Sequence, residues 1–194
     1  MLAHDNPYVD LALEGDAPSL LRCPHWRERG IEFFSLSKGW CLGGFRLAFA
    51  VGAAPLISAL RQLKGVVDFN QCQALQRGAV VALDQHADWP SRLLPIYRQR
   101  RDRMRQVLAD LGWTVPMPSM ALYLWMPIPE WASAKGWSDE QLAAELLEHC
   151  GVALTPGSGF GDAGRGWLRL ALVRPVEDLE NAVARLYPWW EQHH

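Results

Sequence analysis

No apolar run in this chain is long enough to span a membrane, because Arg, Glu or Pro interrupts every candidate. Neither charge is in surplus. Nineteen Lys and Arg stand against 21 Asp and Glu, a net of −2, which excludes bulk attraction to nucleic acid or to an anionic bilayer. The four cysteines, Cys23, Cys41, Cys72 and Cys150, are scattered and form no Cys-x-x-Cys pair. That argues against a zinc site and for a reduced, cytoplasmic setting. The first residues lack a basic segment followed by an apolar core, so no signal peptide is expected. Repeats, disordered linkers and low-complexity tracts are absent. No metal is expected, and the terminal His193-His194 pair is given no metal role.

A hydrophobic fraction of 49% over 194 residues is ample for a core. Ten tryptophans are many for this length. Trp26, Trp89, Trp131, Trp137, Trp189 and Trp190 stand in polar or terminal surroundings. They are expected on surfaces that meet another polypeptide.

Residues 1–52 read as strand, loop, strand, loop, strand. The last of these, Phe45 to Val51, is expected to be covered on both faces. Pro55 opens a helix with Leu56, Leu60 and Leu63 on one side, ended by Gly65. Asn70 to His86 reads as helix, and Asp88-Trp89-Pro90 breaks it. Ser91 to Leu111 carries a stripe of Tyr97, Met104, Leu108 and Leu111 and is capped by Gly112. Its arginines 98, 100, 101, 103 and 105 read as a solvated face. Beyond it, Leu122–Met126, Val152–Leu154 and Trp167–Val173 read as strands. Ser138 and Gln141 form a capping box, followed by a buried stripe of Leu142, Leu146 and Leu147. Pro175 starts a last helix with Leu179, Val183, Leu186 and Trp190 along one side.

The chemistry-bearing segment is Ser35-Leu36-Ser37-Lys38-Gly39-Trp40-Cys41-Leu42-Gly43-Gly44-Phe45-Arg46. It places a lysine in a loop between apolar strands, three residues after a serine and eight before an arginine. A lysine that loses hydration is a better nucleophile, and Ser and Arg beside it suit a phosphate. An aldehyde-binding amine with a phosphate clip suggests pyridoxal phosphate. Taken singly, each feature has a plainer reading: a solvated lysine, a surface ion pair, a turn. Two further patches add to it. In His4-Asp5-Asn6-Pro7-Tyr8, Asp5 suits a protonated ring nitrogen and Tyr8 a ring oxygen. In the other, Thr155-Pro-Gly-Ser-Gly-Phe160-Gly161 precedes an apolar strand interrupted by Arg169, which suits a substrate carboxylate or a structural ion pair.

In this order, Asp-x-x-Tyr, Ser-x-x-Lys with Arg eight on, Pro-Gly-Ser-x-Phe-Gly and a late-strand Arg, the chain resembles the class I/II aminotransferases. Glu32-Phe-Phe-Ser-Leu-Ser-Lys38 is similar to the branch of alanine and LL-diaminopimelate aminotransferases. The resemblance implies an α/β protein of the pyridoxal-phosphate-dependent transferase fold type I, aspartate aminotransferase-like. It further implies a truncated form of that fold: residues 1–90 as part of the large cofactor domain and residues 91–194 as the small C-terminal domain. It implies amino-group transfer between an amino acid and a 2-oxo acid through a Lys38 Schiff base. Lys38 would also move the substrate α-proton. Asp5, Tyr8, Ser35 and Arg46 would hold the cofactor, and Arg169 the substrate carboxylate. Such enzymes are about twice this length, so the chain is expected to be a C-terminal half that works as a homodimer or with a complementing N-terminal half. A non-catalytic fragment, or a lyase or synthase on the same fold, are the other expectations. Cys41 stands where related enzymes often have Asn, and Met120-Ala121 replaces a frequent Gly-x-Phe pattern beside the substrate.

Overall fold

The computed structural model describes residues 1–193; His194 lies outside the described residues, so the terminal histidine pair is described only in part. Contacts divide the chain into two compact units, Met1–Pro95 and the residues from Ile96 onward.

The first unit is built on β1 (Leu2–Asp5), a single helical turn α1 (Trp26–Arg29), β2 (Gly30–Ser35) and β3 (Ala48–Gly52). β1 runs parallel to β2, with Asp5 opposite Phe33, and β3 runs antiparallel to β2, with Ala48 opposite Ser35. β2 is the central strand, and Gly30, Ile31 and Glu32 are buried. β3 was expected to be covered on both faces. It is not: Ala48 and Phe49 are exposed, because the described residues supply no second layer over it. Phe49 instead stacks on Phe34 at 5.1 Å.

α2 (Ala54–Val67) passes through Gly65 rather than ending there. Its end comes where the Asp68 and Phe69 amides bond the Lys64 carbonyl, with Phe69 in the left-handed region at φ 55° and a Lys64–Asp68 ion pair across the last turn. The glycine penalty of about 1 kcal/mol is smaller than the cost of ending a turn early without a cap. α3 (Gln73–Gln85) begins three residues later than the periodicity predicts. Trp89-Pro90 opens α4 (Trp89–Asp110) instead of standing outside it, since a proline costs no hydrogen bond in the first turn. Gly112, at φ 85°, closes α4: its amide bonds Ala109 and the Trp113 amide bonds Leu108.

The second unit packs helices on one face of an antiparallel sheet. Its elements are β4 (Tyr123–Pro127), α5 (Glu130–Ala134), α6 (Asp139–Cys150), β5 (Thr155–Pro156), β6 (Trp167–Ala171), α7 (Val176–Ala184) and α8 (Tyr187–Trp190), with strand order β4-β6-β5. β4 and β6 alternate strictly. Leu124, Met126, Leu168 and Leu170 are buried in the core with Met104 and Leu108 of α4, Leu142 and Leu146 of α6, and Leu179 and Val183 of α7. Tyr123, Trp125, Trp167 and Arg169 occupy the other, half-buried face.

Three expectations fail in this unit. Val152–Leu154 is not a strand; pairing is confined to Thr155 and Pro156. Leu147 is 55% exposed, and Cys150 completes the buried row of Leu142 and Leu146, in keeping with a four-residue spacing. The arginines of α4 are not a uniformly solvated face. Arg101 is buried, pairs with Asp102 and donates to the Pro118 carbonyl at 3.2 Å; Arg100 donates to Leu172 O at 3.0 Å, Arg105 to Val115 O at 3.0 Å, and Arg103 pairs with Glu180. Long stems and forked donors let them bond loop carbonyls that a helix face alone cannot reach.

Four of the six tryptophans expected at a surface are reassigned, while Trp89 is 38% exposed. Trp131, Trp137, Trp189 and Trp190 pack on one another within this unit, and Trp113 stacks on Trp190 at 5.0 Å. They serve an internal core rather than a surface for another polypeptide. Trp190→Ala, at a position 2% exposed, is expected to cost about 3–5 kcal/mol in urea unfolding, against roughly 0.5 kcal/mol or less for Leu147→Ala.

Candidate active site

Two parallel strands end side by side, and their ends carry chemistry. Asp5 is the last residue of β1 and Ser35 the last of β2. Arg46 lies two residues before β3, whose first residue is paired with Ser35, so it enters at the same edge of the sheet. The carboxyl ends of parallel strands are where open α/β sheets take ligands. Tyr8 follows β1 through a short turn, and the Lys38 Nζ lies 6.0 Å from its ring centre.

Local hydrogen bonds shape the lysine loop. Ser35 Oγ accepts from the Ser37 amide at 3.2 Å, the Cys41 amide bonds Lys38 O, and the Leu42 amide bonds Leu36 O. Cys41 and Arg46 both hold left-handed backbone, at φ 55° and 53°. Non-glycine residues there store about 1–3 kcal/mol each, a cost that clusters at functional sites. The half-buried Lys38 has no carboxylate within ion-pair distance among the described residues. Asp5 is exposed and bonds no described side chain, and among the described residues Arg46 donates only to the Gly43 carbonyl at 3.1 Å. An amine, a carboxylate and a guanidinium thus share one sheet edge without neutralising one another. This arrangement fits a ligand with an aldehyde, a basic ring nitrogen and a phosphate.

Beneath this edge is an anchor that the sequence reading missed. Glu32 is 0% exposed. Its carboxylate accepts from Asn6 Nδ2 at 2.6 Å, Ser19 Oγ at 2.8 Å and the Leu21 amide at 3.2 Å, with His4 Nδ1 at 3.3 Å. Burial raises its pKa, but those hydrogen bonds and His4 together outweigh burial and bring it below the ordinary glutamate value. The available signal was a lone carboxylate inside the apolar run Ile31-Glu32-Phe33-Phe34.

In the second unit, Arg169 stands at the centre of β6 with its guanidinium carbon 4.5 Å from the Tyr123 ring and 4.7 Å from the Phe160 ring. Its Nε is buried without a hydrogen-bond partner, and its one side-chain hydrogen bond among the described residues, Nη2 to Thr155 Oγ1, is long at 3.5 Å. No described carboxylate pairs with it, so the structural ion pair is absent and a ligand carboxylate fits. The loop bearing Phe160 is held by Asp139, also missed in the sequence, whose oxygens accept from the Ser158 and Gly166 amides at 2.8 and 3.1 Å. Gly157 and Gly164 are obligatory in that loop: a Cβ on either would come within 2.2 Å of the other's carbonyl oxygen. Ala121, just before β4, takes φ 70°, which a glycine would adopt without strain.

Residues 1–186 match the family "Aminotransferase class I and II". The chain belongs to this family. It is 41% identical over 186 residues to an LL-diaminopimelate aminotransferase of Dehalococcoides mccartyi, covering 95% of this chain and 47% of that protein. It is 35% identical to LL-diaminopimelate aminotransferase 2 of Trichormus variabilis, covering 96% and 47%. Among solved structures, a probable N-succinyldiaminopimelate aminotransferase from Thermus thermophilus superposes with a TM-score of 0.87 at 42% identity, covering 96% of this chain and 49% of that one. An aminotransferase from Staphylococcus aureus gives 0.90 at 28% identity, covering 99% and 50%. The chain therefore spans about half the length of the aminotransferases it matches and corresponds to their C-terminal half. Its fold is a partial fold type I α/β architecture.

The depressed Glu32 pKa sets the sign of an acid response. The folded aminotransferase chain binds fewer protons at Glu32 than the unfolded one, so this contribution is complete above the ordinary glutamate range and is lost as pH falls through the lowered folded value. Glu32→Gln is expected to lower stability at neutral pH by about 1–3 kcal/mol and to flatten the acid limb of stability against pH, read by urea unfolding from neutral to acid pH.

Proposed function

We propose that this chain carries the lysine-bearing part of a pyridoxal-phosphate-dependent aminotransferase site and takes part in moving an amino group between an amino acid and a 2-oxo acid. The observation that carries the reading is the set of unneutralised groups at one sheet edge, Asp5, Lys38 and Arg46, in a chain of this family. Members of the family use pyridoxal phosphate. When bound, that group supplies an electron sink for the substrate α-carbon.

The chain's residues would divide the work as follows. The Lys38 amine would hold the cofactor aldehyde and, once the substrate amine has displaced it, its freed Nζ would accept the substrate α-proton and return it. The Asp5 carboxylate keeps the ring nitrogen protonated. The Tyr8 hydroxyl donates to the ring oxygen. Ser35 and the Arg46 fork hold the phosphate. Arg169, flanked by aromatic faces that strip it of water, receives the substrate carboxylate. Relatives named for LL-diaminopimelate and N-succinyldiaminopimelate support a diaminopimelate-type substrate. The unpaired, exposed thiols of Cys23, Cys41 and Cys72 support a reducing, cytoplasmic setting.

A second reading has its own support. Leu63, Val66, Val67 and Phe69 around the end of α2 are 59–80% exposed, and the chain spans half its relatives' length. Both favour a chain that acts with a further polypeptide, either a second copy or a complementing N-terminal half. Absent such a partner, it would be a non-catalytic fragment.

The test adds pyridoxal phosphate to the chain, alone and with a complementing half. Cofactor bound to the amine shifts the cofactor absorbance, and Lys38→Ala is expected to abolish that shift; an unchanged shift in the variant rejects Lys38 as the anchor. Arg169→Lys is expected to raise KM for the amino acid about tenfold or more with cofactor affinity unchanged, measured by steady-state transfer to a 2-oxo acid. Ammonia release in place of transfer would point to the lyase chemistry that the same fold hosts.

A further inference from the structure

Asp10 has no place in the roles above, yet it touches both residues that follow the lysine. It lies in the short turn Val9–Leu11, two residues beyond Tyr8. Its Oδ2 accepts a hydrogen bond from Trp40 Nε1 at 3.1 Å, across 30 residues of sequence. Its side chain also lies flat against Gly39: a Cβ added there would stand 2.5 Å from Asp10 Cβ and 3.0 Å from Oδ2. The Trp40 ring packs against the small cluster of Leu36, Leu47 and Ala79. Trp40 is therefore held by apolar packing and by a carboxylate, and Gly39 leaves no slack between them. The cost of this contact is visible in Asp10 itself, whose pKa is raised by burial and only partly lowered by the indole bond.

We propose that Asp10 is a positioning residue for Lys38: by fixing Gly39 and Trp40 to the turn that follows Tyr8, it sets where the lysine amine points. The inference rests on the reading of Lys38 as the amine that meets the cofactor aldehyde. A bond from residue 10 to residue 40 ties together the two segments that carry Tyr8 and Lys38, whose amine-to-ring separation is 6.0 Å. A solvent-facing carboxylate would be cheaper, so a half-buried one bonded to an indole points to a geometric task.

The chain holds three lysines, Lys38, Lys64 and Lys135, so each molecule carries its own controls. The full chain is exposed to pyridoxal phosphate, reduced with borohydride, and each lysine-bearing peptide is quantified by mass spectrometry. Lys38 is expected to label in preference to Lys64 and Lys135. Asp10→Ala is expected to lower that preference about fivefold, the worth of one hydrogen bond, while labelling of the other two is unchanged. Asp10→Asn, which keeps an oxygen acceptor, is expected to retain the preference within about twofold. Trp40→Phe, which keeps the ring and removes the N–H donor, is expected to reproduce the Asp10→Ala loss, and decides the matter if Asp10→Ala does not fold. Full preference in folded Asp10→Ala or in Trp40→Phe overturns the positioning role and leaves Lys38 as the anchor; so does a loss in Asp10→Asn as large as in Asp10→Ala. No preference for Lys38 in the unaltered chain overturns the anchor and the inference together.

Discussion

The first unit depends on one buried carboxylate. Glu32 sits in the central strand, and its four partners come from two stretches of the sequence: His4 and Asn6 at the end of β1, and Ser19 and Leu21 in the connection that returns to β2. Removing such a charge from water costs several kcal/mol, and only a full set of donors offsets it. Those donors exist only when β1 lies beside β2 in the observed register, with His4 opposite Glu32. The same register puts Asp5 next to the strand end from which the lysine loop departs. Electrostatics in the interior thus decides where the side chains at the edge can be.

The second unit solves a different problem with different materials. Its short sheet gains cover from helices on one face only, and Arg100, Arg101 and Arg105 tie loop carbonyls to α4 where no strand could. The tryptophan group joins α5, α8 and the segment before β4 into one packed body. On the opposite face, Arg169 is the contrast: it is equally cationic and flanked by rings, but it pairs with no carboxylate among the described residues. One helix uses its guanidinium groups to hold the fold, whereas the guanidinium on the strand lies between two aromatic rings.

How much of this was legible in the sequence follows from how local each signal is. Helix caps were readable because a cap is a short-range contact: Ser138 receives the Gln141 amide, and Gly112 closes α4 as its residue type predicts. Strand existence was readable for β2, β4 and β6, where apolar runs are long enough. The edges of elements were not, since Gly65 and Pro90 take part in helices that tertiary context and first-turn geometry permit. The motif order pointed to Asp5, Tyr8, Ser35, Lys38, Arg46 and Arg169 through resemblance. Glu32, Asp10 and Asp139 carried little local signal. Each acts through partners 11 to 30 residues away, and pairings of that range are not written in any window of the chain.

Among the described residues, three strands make the first unit's sheet, and β1 and β3 each pair on one side only. Their outer rows of backbone donors and acceptors are therefore open to further pairing. Flat, unprotected strand borders are templates for adventitious cross-chain ladders and aggregation. A polypeptide that extended this sheet would cover those borders and quench that stickiness, so colloidal behaviour would change with strand pairing.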